Sequence, residues 1–295
     1  MKSLTERLLQ AGITTEYELE FDFSKHSTVG VGGVAEIVFY PKSIKEFIRL
    51  CDFFENEEKE VLVLGNLSNV LPPNGRFSTP IILTKKLNAM EFSESVFLEA
   101  GVTSGSFLEE SVRFGRKGAE FLAGIPCTIG GAVYMNAGAN GKYISDIVKK
   151  VLIYRRKRLR LLTNSECHFG YKKSVFMDND AIILGVELSL EESDPKTVSL
   201  IKEQVLQSRR GLPKGKSMGC VFKNPLGDSA GRLIDLAGLK GLREGDALIS
   251  PIHANFMMNV GNATQDDFLR LIDRVKKEVF NQFGVLLEEE IRIIR

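Results

Sequence analysis

The stretch FLAGIPCTIGGAVYMNAGANG, Phe121 to Gly141, decides how this chain is read. It is crowded with Gly, Ala, Thr and Asn, whose small side chains let backbone come close to something. A buried flat ligand meets that demand, and so does a loop packed tightly between helices. Neither a Walker sequence nor GxGxxG after a strand is present, which argues against the common nucleotide folds.

Moving from this loop toward the N-terminus, strand and helix alternate. Phe107, Leu108, Ser111 and Val112 mark a helix, and SVFLEAG (Ser95 to Gly101), PIILT (Pro80 to Thr84) and EVLVLG (Glu60 to Gly65) are short β-rich runs. VAEIVFYP (Val34 to Pro41) reads as a strand. The helix after it, capped by Ser43 and Glu46, has Ile44, Phe47, Ile48, Cys51 and Phe54 on one face, which makes Cys51 a core residue. Ser3 and Glu6 form a capping box for a short leader helix that Gly12 can end.

Toward the C-terminus, VLIYRRKRLRLLT (Val151 to Thr163) reads as two strands around a basic turn. DAIILGVELSLEE (Asp180 to Glu192) is apolar enough for a buried strand, with Gly185 marking a bulge. From Ser193 the composition turns polar, with a helix at Lys196 to Arg209 and the loop GLPKGK as domain boundary. The remainder is a smaller unit. It holds a short helix around Gly231 to Ala237, a strand HANFMMNVG (His253 to Gly261), a helix from Thr264 carrying Phe268, Leu271, Ile272, Val275 and Val279 on one face, and a final strand in LLEEEIRII.

Two turns beside strand signals, HSTVGVGG (His26 to Gly33) and LGNLSNVL (Leu64 to Leu71), have the composition of backbone nests that cradle phosphate, although Gly-rich loops are more often plain turns. The whole chain has 295 residues, enough for two domains, and a net charge of +1. Such a balance supplies no field for nucleic acid or anionic lipid, so small molecules are the expected partners. No apolar run approaches the length of a membrane helix and the start is too polar for a secretory signal, so a cytoplasmic protein is expected. The four cysteines are widely spaced and read as reduced thiols. RRKRLR (Arg155 to Arg160) reads as a solvated hairpin rather than a nucleic-acid patch. His26, His168 and His253 are too scattered for a metal site, and His253 is expected to bond backbone.

Six segments, FLAGIPCTIGGAVYMNAGANG, FGYKKSVF, GCVFKNP, AGRLIDLAGLKG, HANFMMNVGNAT and GVLLEEEIRII, occur in the order seen in the UDP-N-acetylenolpyruvoylglucosamine reductases. The chain resembles that flavoenzyme family from about His26 to Ile294. The resemblance implies an α+β fold: a two-lobed FAD-binding domain of the vanillyl-alcohol oxidase type, then a smaller α+β substrate domain. The expected ranges are 1–20 for the leader helix, 21–192 for the FAD domain with lobes at about 21–85 and 86–192, and 193–295 for the substrate domain. The last strand is allowed to return to the first lobe.

The activity so implied is NADPH-dependent reduction of UDP-N-acetylglucosamine enolpyruvate through FAD, a step in making peptidoglycan precursors, with no protein partner required. By resemblance, Gly65, Asn66, Leu67, Ser68 and Asn69, with Thr128, Gly130, Gly131, Ala132 and Asn136, hold the cofactor. Leu67 and Cys127 stand where the family usually has glycine; if Leu67 sits at φ > 0, the turn must differ locally, because a branched side chain disfavours that region. Hydride addition to the enolpyruvyl methylene builds negative charge on the neighbouring carbon and its carboxylate, so the chemistry calls for a fixed cation and a proton donor.

Resemblance assigns the cation to Lys172, in Tyr171-Lys172-Lys173-Ser174, where the family has Tyr-Arg-x-Ser. A lysine carries the charge without the two-pronged bonding of a guanidinium. Tyr171, Lys223 and Asn224 become substrate contacts. Glu290 matches the family's acidic residue and is most useful protonated, which burial would favour. Cys220 fills the position of a serine proton donor, and a thiol, with a reference pKa near 8.5, is much the stronger acid. Two rivals share these features: a flavin oxidase on the same fold, and a nucleotide-sugar binding protein without turnover.

Overall fold

A computed structural model describes residues 4–295; Ser3, half of the expected capping box, lies outside the described residues. The leader helix is Leu4–Gln10, with Gly12 beyond it at φ 67°. The chain divides into two compact units that are discontinuous in sequence. Among the described residues, one comprises 4–19, Ile37–Asn66 and Thr79–Arg209, the other Glu20–Glu36, Leu67–Ser78 and Arg210–Arg295.

The first unit has two cores. In one, the amphipathic helix Ile44–Asn56, with the Ser43 hydroxyl accepting from Glu46 N–H, buries Phe47, Leu50, Cys51 and Phe54 against Ile37, Phe39 and Ile82. Burial pushes the Cys51 thiol up to about 12, as befits a core cysteine. Strand Ile81–Leu83 lies parallel to both Leu62–Leu64 and the second half of Val34–Phe39. Leu64 and Leu83 are register partners, so the residues that follow them leave the sheet side by side at its carboxyl edge. Open parallel sheets take their ligands beyond that edge.

The second core sits on an antiparallel sheet ordered Arg158–Thr163, Val148–Arg155, Ile182–Leu188, Val96–Glu99, Met90–Phe92. The expected bulge is present: pairing runs from Leu152 with Gly185 to Ile153 with Ile183, skipping Leu184. Helices Ser104–Arg113 and Ile129–Tyr134 bury Phe107, Leu108, Ile129 and Val133 against this sheet's Val96, Leu98, Val151 and Val186.

The second unit is a four-stranded antiparallel sheet ordered Ser217–Cys220, Phe256–Asn259, Ala247–Ile249, Arg243–Glu244. Helices Ala230–Leu236 and Gln265–Phe283 accompany it, the longer one opened by a Thr264/Asp267 capping box and closed by Gly284 at φ 68°. Phe268, Leu271, Ile272, Val275 and Val279 all enter its core, which also takes in Val29, Val31 and Leu71 from early in the chain.

Two strands are shorter than their apolar patterns suggest. HANFMMNVG is extended only over Phe256–Asn259, because Phe256 N–H turns back onto His253 O at 2.9 Å. LLEEEIRII changes partners midway. Lys223 N–H bonds Glu288 O and Glu290 N–H bonds Val221 O, whereas Arg292–Ile293 pairs in parallel with Val70–Leu71.

Candidate active site

In the first unit, the Gly65 turn and the Phe121–Gly141 loop are interlocked. A Cβ on Gly65 would stand 2.2 Å from Thr128 Oγ1, so only glycine permits the approach. The Asn66 amide donates to Pro126 O at 2.8 Å. Thr128 caps the helix Ile129–Tyr134 by accepting from Gly131 N–H, while Gly130 N–H bonds Ala100 O. Thr128, Gly130 and Ala132 are buried, and the half-buried Gly65, Asn66 and Gly131 could line a cofactor cradle.

Leu67 corrects one expectation. It adopts φ 56° despite its branched side chain, so the turn keeps the left-handed conformation for which a glycine would be used. That costs roughly 1–2 kcal/mol. Complete burial of a leucine contributes about 1.5–3 kcal/mol, and at 2% exposure Leu67 has that compensation. No backbone carbonyl among the described residues accepts from the N–H groups of Asn66, Leu67 or Ser68. Successive N–H groups around a left-handed residue form an anion nest, so these residues fit a pyrophosphate. Cys127, the other departure from glycine, is not at positive φ, and burial pushes its thiol up to about 11. In HSTVGVGG, a Cβ on Gly33 would meet Gly75 O at 1.8 Å, which makes Gly33 a close backbone packing position.

Tyr171 and Lys172 form a two-residue turn between Gly170 and Lys173, with Lys172 at φ 52°. Tyr171 is exposed and Lys172 half-buried. Asn136, assigned to the cofactor by resemblance, is 4% exposed, and its amide is engaged within the protein: Nδ2 donates to Gly170 O and Oδ1 accepts from Ser145 N–H.

In the second unit, three segments far apart in sequence meet at Val221. Its N–H bonds Asn255 O at 2.9 Å, and its carbonyl accepts from Glu290 N–H at 2.7 Å. Cys220 and Glu290 therefore lie on hydrogen-bonded neighbouring segments, both half-buried. Asn69 joins them, its amide donating to Glu290 O at 3.1 Å. Glu288 pairs with Lys223 and Glu289 with Lys276. Asn224 Oδ1 accepts from Ala230 N–H at the start of helix Ala230–Leu236. No atom lies within 4 Å of where a Cβ would be on Gly219, so there is room beside Cys220.

Cys220 also stands apart among the cysteines. Cys51, Cys127 and Cys167 are buried, and burial raises each thiol. Cys220 alone among the four is half-buried rather than buried. Burial likewise lowers the His253 pKa, and its Nδ1 accepts from Asn255 N–H, as expected of a backbone-bonding histidine. Among the described residues no His, Cys, Asp or Glu cluster could hold a metal ion, and no helix is long and apolar enough to cross a membrane.

Three organising residues escaped the sequence reading. Asn255 brackets Phe222 through its N–H and its carbonyl; Asn259 reaches Val29 O and Gly30 O; Gln265 joins Leu71 O to Ile294 O. The available signal was an amide side chain inside or beside an apolar run, where burial demands partners.

Comparison with known proteins bears on both units. The model of the UDP-N-acetylenolpyruvoylglucosamine reductase C-terminal domain matches residues 211–294, and that of an FAD binding domain matches residues 35–156. The UDP-N-acetylenolpyruvoylglucosamine reductase of Carboxydothermus hydrogenoformans is 34% identical over 99% of this chain and 97% of its own. That of Trichlorobacter lovleyi is 36% identical over 92% of this chain and 90% of its own. The crystal structure of the Thermus caldophilus UDP-N-acetylenolpyruvylglucosamine reductase superposes with a TM-score of 0.81 at 34% identity, covering 95% of this chain and 99% of that one. With an α+β fold that includes an FAD binding domain, and with relatives matched over nearly their full length, the chain belongs to the UDP-N-acetylenolpyruvoylglucosamine reductase family.

Proposed function

We propose that this chain reduces UDP-N-acetylglucosamine enolpyruvate to UDP-N-acetylmuramate, with Lys172, Cys220 and Glu290 carrying the chemistry. The protein is an FAD-dependent oxidoreductase of peptidoglycan precursor synthesis that uses NADPH. FAD, when bound, supplies hydride taken from NADPH to the enolpyruvyl methylene carbon. Residues 21–192 serve the cofactor and 193–295 the substrate, in the cytoplasm and without an obligate protein partner.

Backbone N–H groups of the Gly65–Asn69 turn receive the cofactor's pyrophosphate, with Gly131 beside them and Thr128, Gly130 and Ala132 as buried support. Lys172 sets a positive charge against the developing enolate, and Tyr171, Lys223 and Asn224 hold the sugar nucleotide. Cys220 Sγ–H gives its proton to the enolate carbon, completing the lactyl ether, and Glu290 lies beside that carboxylate. Enolate stabilisation and proton delivery are the two tasks the protein has to perform.

The observation carrying this reading is the meeting at Val221, which puts the half-buried Cys220 and Glu290 on hydrogen-bonded neighbouring segments. Anaerobic single-turnover spectroscopy tests it. NADPH should bleach the flavin band in wild type, Cys220→Ser and Cys220→Ala alike. The enolpyruvyl sugar nucleotide should then restore it with product formation in the first two only. A thiol must be neutral to donate, so wild-type turnover should fall as pH rises through the thiol range, near 8.5 in model compounds; Cys220→Ser should lack that limb. Normal steady-state turnover in Cys220→Ala would return Cys220 to a packing role.

A further inference from the structure

The turn that bears Lys172 has no β-ladder behind it. Gly170 and Lys173 exchange the two hydrogen bonds of an isolated bridge, at 3.0 and 3.2 Å. Two more attachments come from the end of the helix Ile129–Tyr134. That end is a Schellman motif: Ala137 N–H bonds Ala132 O, Asn136 N–H bonds Val133 O, and Asn136 sits at φ 43°. Asparagine is among the few side chains that adopt this conformation readily.

From that position the Asn136 amide donates to Gly170 O at 2.8 Å and accepts from Ser145 N–H at 3.2 Å. At the other end of the turn, Ser174 is fully buried and its hydroxyl donates to Tyr134 O at 2.6 Å. Both feet of the turn therefore stand on one helix end. A side chain 4% exposed, with both ends of its amide engaged, has almost no surface to offer a ligand.

We infer that Asn136 is a positioning residue for the reduction step, acting on substrate through the Lys172 turn rather than by touching the cofactor. The inference rests on the reading of Lys172 given above. The helix that supports the cofactor cradle thus also sets the height of the cation, so cradle and cation move as one piece. Loss of the amide leaves Gly170 with only its bridge to Lys173 and lets the turn drift. A shift of about 1 Å in a positioned group can slow a reaction on the order of 10²-fold.

Asn136→Gly is the decisive variant, because glycine keeps the left-handed backbone and the helix end while removing only the amide. Asn136→Asp also tolerates that backbone and still accepts from Ser145, but cannot donate to Gly170. FAD affinity of the apoprotein is measured by flavin fluorescence quenching, and flavin reduction by NADPH and reoxidation by substrate by stopped flow. Each measurement is repeated in a Lys172→Ala background. Both Asn136 variants should hold FAD affinity and reduction within about twofold of the parent and slow reoxidation by roughly 10- to 100-fold. Neither should slow Lys172→Ala further, since a group acting through Lys172 then has nothing to position.

Unchanged reoxidation beside a slow Lys172→Ala would overturn the inference. So would a parallel loss of FAD affinity, or full additivity with Lys172→Ala. A Lys172→Ala protein that reoxidises normally would instead defeat the reading of Lys172, and this inference with it.

Discussion

Two short basic turns in the same unit, Arg156-Lys157 and Tyr171-Lys172, look alike in sequence and are built in opposite ways. The first closes a ladder of six register pairs from Lys150/Thr163 to Arg155/Arg158. Both its residues have positive φ, 48° and 58°, the primed geometry that suits the twist of a hairpin. Its charges are satisfied nearby: Arg155 and Arg156 by Asp180, and Lys157 by Asn56. The second closes a single bridge, and the Ile129–Tyr134 helix end holds it through Asn136 and Ser174. A turn on a long ladder supports itself and can be left at the surface. A turn without one takes its position from whatever grips it, which is how a cation can be placed to order.

The sharpest test of that contrast is a pair of alanine variants. Lys172→Ala should slow substrate-driven flavin reoxidation about 10²-fold or more, the usual scale for losing one group that stabilises an oxyanion, with little change in reduction by NADPH. Arg156→Ala should leave both half-reactions within about twofold. Stopped-flow traces showing equal losses in both half-reactions of Lys172→Ala would make that residue structural and erase the contrast.

Next in size is Ser174→Ala. It deprives the Tyr134 carbonyl of a buried donor, which costs about 1–3 kcal/mol and should be visible as a lower denaturant midpoint. The corresponding removal of a hydroxyl beside the surface hairpin, Thr163→Ala, should cost less than roughly 0.5 kcal/mol. Equal midpoints for the two variants would mean that the second turn is not gripped at Ser174.

The smallest effect belongs to Asp180. Partial burial pushes its carboxyl up, but the hydrogen bond and charge of Arg155, with Arg156 beyond, outweigh that and hold it below the ordinary range. A depressed folded-state value means that the stabilisation is present above the unfolded carboxylate pKa, near 3.9, and is lost as pH falls through the folded one. Because the pair is largely exposed and screened, it is worth at most about 1 kcal/mol. Asp180→Asn should therefore melt slightly earlier than wild type at pH 7, and the gap should close toward pH 3. A gap that persists in acid would assign the effect to something other than the ion pair.

Local physics wrote much of this molecule into its sequence. The helix with Phe47, Cys51 and Phe54 inside, the hairpin at Arg156-Lys157, the bulge at Gly185 and the capped helix from Thr264 are all governed by neighbours a few residues away. What could not be read was tertiary. The bonds that define the Lys172 turn span 34 and 40 residues, and no periodicity announces them. LLEEEIRII reads as one strand because its pattern is continuous, yet it serves two partners. The candidate catalytic residues emerged through family resemblance alone, since a lone lysine, cysteine or glutamate is ordinarily surface or core. Leu67 broke the usual conformational rule because burial compensates the strain, and burial is not a local property.

The bond from Asn69 to Glu290 joins residues 221 positions apart, and the parallel pairing of Val70–Leu71 with Arg292–Ile293 lies beside it. During translation at about 5–20 residues per second, the earlier strand waits on the order of ten to forty seconds for its partner to be made. Val70 and Leu71 are buried in the finished fold, as are Val29 and Val31 in the same core. For that interval the nascent chain carries an uncovered apolar edge, the kind of surface on which neighbouring chains associate. Residues made late on the ribosome thus decide whether a strand made early is ever covered.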